Sequence, residues 1–82
     1  MTIVADPLAE IAHFEKLAET AYEAMYDALP RMIKSHYEDA MLYFAKALTE
    51  AERAGNVTAA ERLTLRREHI RNIYEHQFRG VG

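Results

Sequence analysis

Apolar residues recur every three or four positions from Tyr37 to Ala51, through Ala40, Met41, Phe44, Ala47 and Leu48. At 3.6 residues per turn that spacing lines one face of a helix. The stretch 35–55 is also punctuated at both ends. Ser35-His36-Tyr37-Glu38 has the S-x-x-E form of a capping box, and Gly55 suits the left-handed position just past a helix end. Within the stripe, Ala40, Phe44 and Ala47 predict a close-packing seam against neighbouring helices. Because adjacent helical residues point about 100° apart, burying Phe44 turns Tyr43 and Leu42 outward.

Upstream, Asp6-Pro7 reads as a helix start, with Asp accepting backbone N–H groups and Pro tolerated at the first helical position. The stripe that follows is wide: Leu8, Ile11, Ala12, Phe14, Leu17, Ala18, Ala21, Tyr22, Met25, Tyr26 and Leu29. Such a width implies contact with more than one neighbouring element. Pro30 then disfavours a continuous helix, although apolar spacing continues across it through Met32 and Ile33. Two structures fit: a hairpin with its turn within 29–35, or one long helix kinked at Pro30. The capping box at Ser35 favours the hairpin. Beyond Gly55, Asn56 and Val57 form a short connection, and Thr58-Ala59-Ala60-Glu61 is a second capping box. It opens a helix predicted from Ala59 to about Phe78, with Leu63, Ile70, Ile73, Tyr74 and Phe78 on one side. The chain therefore reads as a single all-α, three-helix domain, with helices at about 7–28, 31–54 and 59–78 arranged as antiparallel hairpins. Residues 1–5 and 79–82 are read as loose ends.

Composition sharpens this picture. A chain of 82 residues buries a smaller fraction of its surface than a larger one. Without cysteine it has neither disulfides nor thiolate-bound metal to hold it. Half of the residues are apolar, but many are alanine, which adds little area. Efficient helix packing, or association into a dimeric bundle, is the expected source of the missing burial. The net charge of −3 gives no general attraction to nucleic acid or to an anionic membrane. No apolar run approaches the roughly 18 residues of a membrane span, and the first ten residues lack the basic and apolar regions of a signal peptide. A cytoplasmic location is the default expectation.

The stretch 37–56, YEDAMLYFAKALTEAERAGN, resembles the second helix of a tetratricopeptide repeat. Ala40, Phe44 and Ala47 fall at the small, aromatic and small positions of such helices, and the following Gly-Asn leads into a new helix as repeats do. The neighbouring helices lack the W-x-x-L-G-x-x-Y signature, and an array needs about three repeats. The resemblance implies a helical hairpin with repeat-like packing, and it does not carry over a peptide-binding groove.

Candidate chemistry is sparse. Glu10-Ile11-Ala12-His13 is an E-x-x-H, the spacing used in carboxylate-bridged di-iron bundles. A full site would need two copies, supplied by a dimer, with Glu38 or Glu50 as further ligand; Glu10 and His13 are the alternative metal ligands on that reading. His36 adds nothing to it, and His69 and His76 lie two turns apart, too far to share an ion. The sole serine, Ser35, is already read as a cap, and there is no glycine-rich phosphate loop. No catalysis and no cofactor are expected.

Charge is more informative. Glu15, Glu19, Glu23 and Asp27, spaced by four, line one stripe of the first helix, whereas the third carries Arg62, Arg66, Arg67 and Arg71, with Arg79 beyond. Either both faces are solvated or the acidic stripe meets the arginines, within one chain or across a dimer. An accessory nucleic-acid role for the arginine helix is an alternative, opposed by the interleaved Glu61, Glu68 and Glu75. The expectation for function is thus a small non-catalytic interaction or regulatory module that self-associates. Its partner-binding residues are predicted to be Leu42, Tyr43, Lys46, Leu65, Arg66 and Arg67. Pro30, Ser35, Ala40, Phe44, Ala47, Gly55, Thr58 and Glu61 are assigned structural roles.

Overall fold

Three helices follow one another with very short connections: α1 (Pro7–Asp27), α2 (Pro30–Arg53) and α3 (Val57–Ile73), the last continuing into a π-helical turn (Tyr74–Phe78). These bounds come from a computed structural model, which describes residues 6–80. The lead-in read at 1–5 and the last two residues of the predicted tail lie outside the described residues. Among the described residues there is no strand, and no helix is long and apolar enough to cross a membrane.

The start of α1 follows the sequence. Asp6 Oδ1 accepts the Leu8 N–H at 3.0 Å, and Pro7 takes a position whose N–H would have no intrahelical partner. The reversal after α1 is a hairpin. It is tighter than the predicted window and uses only Ala28 and Leu29, both extended, with ψ of 150° and 147°. Proline keeps the residue before it out of the helical region, so Leu29 is forced to be the break, and Pro30 then opens α2 at its first position. The start predicted at Ser35 is therefore corrected. Ser35 stands exposed inside α2, and the actual N-cap, Leu29, has no side-chain cap.

The α2–α3 joint is built by Gly55 and Asn56. Gly55 adopts φ +66°, where a Cβ would be strained. Its N–H donates to the Glu52 carbonyl at 3.1 Å, and the Asn56 N–H donates to the Ala51 carbonyl at 2.9 Å. This paired closure satisfies two of the carbonyls left over at a helix end. Asn56 at once becomes the cap of α3, its side-chain oxygen accepting the Ala59 N–H at 3.1 Å. Thr58 and Glu61 consequently lie within the first turns of α3 and do not form the predicted capping box; α3 begins at Val57, not Ala59. An asparagine directly after the glycine reaches the free N–H groups first.

The uniform third helix predicted to Phe78 is also corrected. From Tyr74 the turn widens, closed by the Arg79 N–H to the Tyr74 carbonyl at 2.9 Å. In α geometry Phe78 would lie about 40° past Tyr74. Widening the turn brings it back, and its ring meets Tyr26 edge-on at 5.0 Å while Tyr74 stacks on Tyr37 at 3.9 Å. Arg79, predicted to fray, is held here by its N–H and by an ion pair to Glu75 at 2.6 Å.

These contacts fix the topology: α1 and α3 run parallel to each other and antiparallel to α2. Ile11, Ala18, Phe44, Ala47, Ala51, Ala59, Leu63 and Ile70 form the core, with Met25 and Ile33 also buried. The predicted seam is sealed, with Ala40, Phe44 and Ala47 all fully buried. Alanines at the seam let α2 lie close along α1, and α3 leans on α2 more loosely. The result is thin, 50 × 25 × 13 Å across its Cα atoms, so the helices approach a layer rather than a thick bundle. A thin arrangement leaves grooves on its surface. They are the starting point for function.

Candidate functional site

The two long faces of the layer are chemically different. Where α1 meets α3, the acidic stripe faces the arginines within the chain: Glu15 pairs with Arg62, and Glu19 takes Arg66 Nε and Nη2 at 2.7 and 2.8 Å. Arg66 also lies over the Tyr22 ring, 5.3 Å from its centroid, and Tyr22 shares a 2.9 Å hydroxyl hydrogen bond with Tyr26. The stripe stops pairing at Glu23 and Asp27, because α3 presents Ile70 and Ile73, not cations, one and two turns beyond Arg66. The hydrogen bonds that Arg66 donates to Glu19 are the first reason that its guanidinium is held above its ordinary range. Both side chains remain about a third exposed (37% and 30%), so solvent weakens the pair. A double-mutant cycle with Glu19→Gln and Arg66→Gln should give a coupling of about 0.5–1 kcal/mol by denaturant unfolding. It should shrink in high salt; zero coupling at low salt would show that the bidentate geometry contributes nothing.

The same seam gives a pH dependence. Burial, then the hydrogen bond to Tyr26, push the Tyr22 hydroxyl up to about 12. In an unfolded chain a phenol titrates near about 10. The folded state thus holds this proton more tightly, and the stabilisation is complete below about pH 10 and lost as pH rises through about 12. Unfolding midpoints should fall across that window, and less steeply in Tyr22→Phe. Identical slopes would contradict the assignment.

The other long face is the outer groove between α2 and α3. It has a volume of about 440 Å³ and is lined by Leu48, Glu52, Ala60, Glu61, Thr64 and Leu65. Its floor is apolar, and its Leu65 side is 67% exposed. Register explains it. Met41, Ala45, Leu48 and Glu52 recur every three or four residues along one side of α2, as Ala60, Thr64, Arg67 and Arg71 do along the facing side of α3. A second cavity of about 570 Å³ lies at the far end of the same two helices. It is lined by Tyr37, Tyr74 and Phe78, with Arg31, Lys34 and Arg79 alongside Glu38 and Glu75.

The residues predicted for partner binding are divided among these surfaces. Leu42 is 52% exposed on the outer side of α2, and Leu65 is on the groove rim. Tyr43 is not turned outward as predicted: it is half-buried and packs on the core, with Lys46 Nζ lying 5.9 Å from its ring and 5.7 Å from that of Phe14. The reason is that α2 has a neighbour on each side, so its buried arc reaches Tyr43. Arg66 belongs to the α1–α3 seam. Arg67 is half-buried on the groove side, and its Nε has no hydrogen-bond partner among the described residues. Leu48, Glu52 and Ala60 line the groove without being among the predicted partner-binding residues. The second helical stripe at 41, 45, 48 and 52 is the signal that would have found them.

The remaining alternatives can be placed too. Among the described residues no group of three or more His, Cys, Asp or Glu side chains converges as a metal site, so Glu10 and His13 have no third ligand beside them. His13 instead packs its ring against Phe14 at 5.3 Å. Three of the five arginines on the third helix and its tail, Arg62, Arg66 and Arg79, are in ion pairs, and Arg67 and Arg71 are in none among the described residues. Comparison with protein-family models, with curated proteins and with solved structures finds no match to this chain.

Proposed function

We propose that this chain is a small non-catalytic interaction or regulatory module that engages protein surfaces through the outer α2–α3 groove. The observation that carries the reading is the apolar floor of Leu48 and Ala60, with Leu65 on its rim, lying open between two helices. Apolar surface of this kind, rimmed by charge, is favourable to cover and is the usual receptor for a packed helix. The groove contains no histidine or other paired acid and base, and its polar members are Thr64 and two carboxylates, Glu52 and Glu61.

Site-specific photo-crosslinking tests this reading. A photoreactive residue at position 65 should give protein adducts in the cells that make the chain, and one at the exposed Thr20 of α1 should not. Adducts of equal yield from both positions, or none from position 65, would remove the groove as an interaction surface.

A further inference from the structure

The α2–α3 face is electrically polarised along its length, and the polarity is self-complementary. At the end near Gly55 the groove is flanked by Glu52 and Glu61, both exposed and in no ion pair among the described residues. Toward the other end stand Arg31, Lys34 and Arg71, likewise in no ion pair among the described residues, against Glu38; Arg67 and Glu68 stand together near the middle, and Glu75 and Arg79 neutralise each other. The antiparallel register, fixed by the Tyr37–Tyr74 stack at one end and by Leu48 opposite Ala60 and Thr64 at the other, places Met41, Ala45 and Leu48 of α2 and Leu65 of α3 between those two ends. So the face is acidic at one end, largely apolar and without net charge in the middle, and net basic at the other.

Resting on the interaction reading above, we propose that the occupant of this groove is a second copy of the chain, related by a two-fold axis through the middle of the face. Such an axis reverses the face end to end. It lays α2 on α2 and α3 on α3 in opposite directions, sets Glu52 of each copy against Lys34 of the other and Glu61 against Arg71, and brings the two copies of Leu65 toward each other near the centre. A two-fold interface is self-complementary by construction, and a polarised stripe with an apolar centre satisfies that requirement. Parallel stacking of the same faces would oppose like charges at both ends. The molecule's 50 × 25 Å breadth accommodates the roughly 800 Å² per partner of a stable interface.

The full chain and three variants test this by sedimentation equilibrium, with circular dichroism confirming equal helix content. Wild type should be dimeric. Leu65→Glu, at an exposed position, should be monomeric. Glu52→Lys/Glu61→Lys and Lys34→Glu/Arg71→Glu should each weaken the dimer about tenfold or more. Mixed in equal amounts, those two charge variants should pair with each other and recover the wild-type affinity. A wild type that stays monomeric at every concentration reached, charge variants that dimerise normally, or a mixture that does not recover would each overturn the two-fold assembly. Position-65 adducts to other proteins from a monomeric chain would overturn it too, while leaving the broader interaction reading standing.

Discussion

Phe44→Ala should cost the domain about 3–5 kcal/mol and bring it close to, or past, its unfolding midpoint at room temperature. Phe44 is fully buried and is the largest such side chain. It stands on the middle helix of the layer, in one cluster with Ile11 and Ala18 of α1 and Leu63 and Ile70 of α3. Truncation therefore removes contacts to both neighbours at once. Part of the cost is lost transfer energy, and part is the void left because three helices cannot all close on one missing ring. A domain with a net stability of about 5–15 kcal/mol has little to spare, and a chain this small belongs near the lower end. The measurement is urea unfolding followed by far-ultraviolet circular dichroism, with the change read from the midpoint at constant slope. A loss below about 1.5 kcal/mol would mean that the layer collapses around the gap, or that Phe44 is not its centre.

Ala47→Leu should be the next most damaging single change, at about 1–3 kcal/mol, although it adds apolar area. Ala47 is fully buried in the cluster that joins α2 to α1. The two helices approach as they do because Ala18, Ala47 and Ala51, all fully buried, offer only a methyl group each. Three further heavy atoms at position 47 must push the helices apart or adopt a poor rotamer. Alanine and leucine have nearly equal helix propensity, so propensity does not account for the loss. Ala12→Leu, at an exposed position on α1, is the control and should change stability by no more than about 0.5 kcal/mol. If the two variants unfold at the same denaturant concentration, close approach at the seam is not what organises this fold.

Both expectations rest on residues whose importance is legible without coordinates. Period alone places Ala40, Phe44 and Ala47 on the inner face of α2, and Asp6-Pro7 and Gly55 are local devices that work wherever they occur. What period does not resolve is competition between adjacent signals. Ser35 and Thr58 each begin a sound capping box, but Pro30 and Asn56 come earlier in the chain and open the helices first. Nor does period reveal the wide turn at Tyr74–Phe78, since Tyr74, Phe78 and Tyr26 are drawn together by ring contacts far apart in sequence.

The candidate surface was less legible than the fold. Leu42 and Leu65 stand out as apolar residues on the wrong side of their helices. Tyr43 looked equivalent until α1 covered it, and Arg66 looked free until Glu19 took it. Whether a residue on the edge of a stripe is covered depends on how many neighbours its helix has and on which sides they lie. Those are properties of the assembled layer and are not encoded in any single window.

By itself, then, the sequence determined three helices, their inner faces, the alanine seam and the opposition of an acidic first helix to a basic third. Each follows from 3.6-residue periodicity, from capping chemistry or from the sign of charge, all of which are local. Only the tertiary structure decided that Glu15 and Glu19 spend themselves on Arg62 and Arg66. It likewise decided that, among the described residues, Glu52 and Glu61 are left outside any ion pair at one end of an apolar groove, with unpaired cations at the other. The physical reason is register: the lengths of two tight turns set which residues of α2 and α3 stand opposite each other, and that alignment makes a scatter of surface charges into a polarised face.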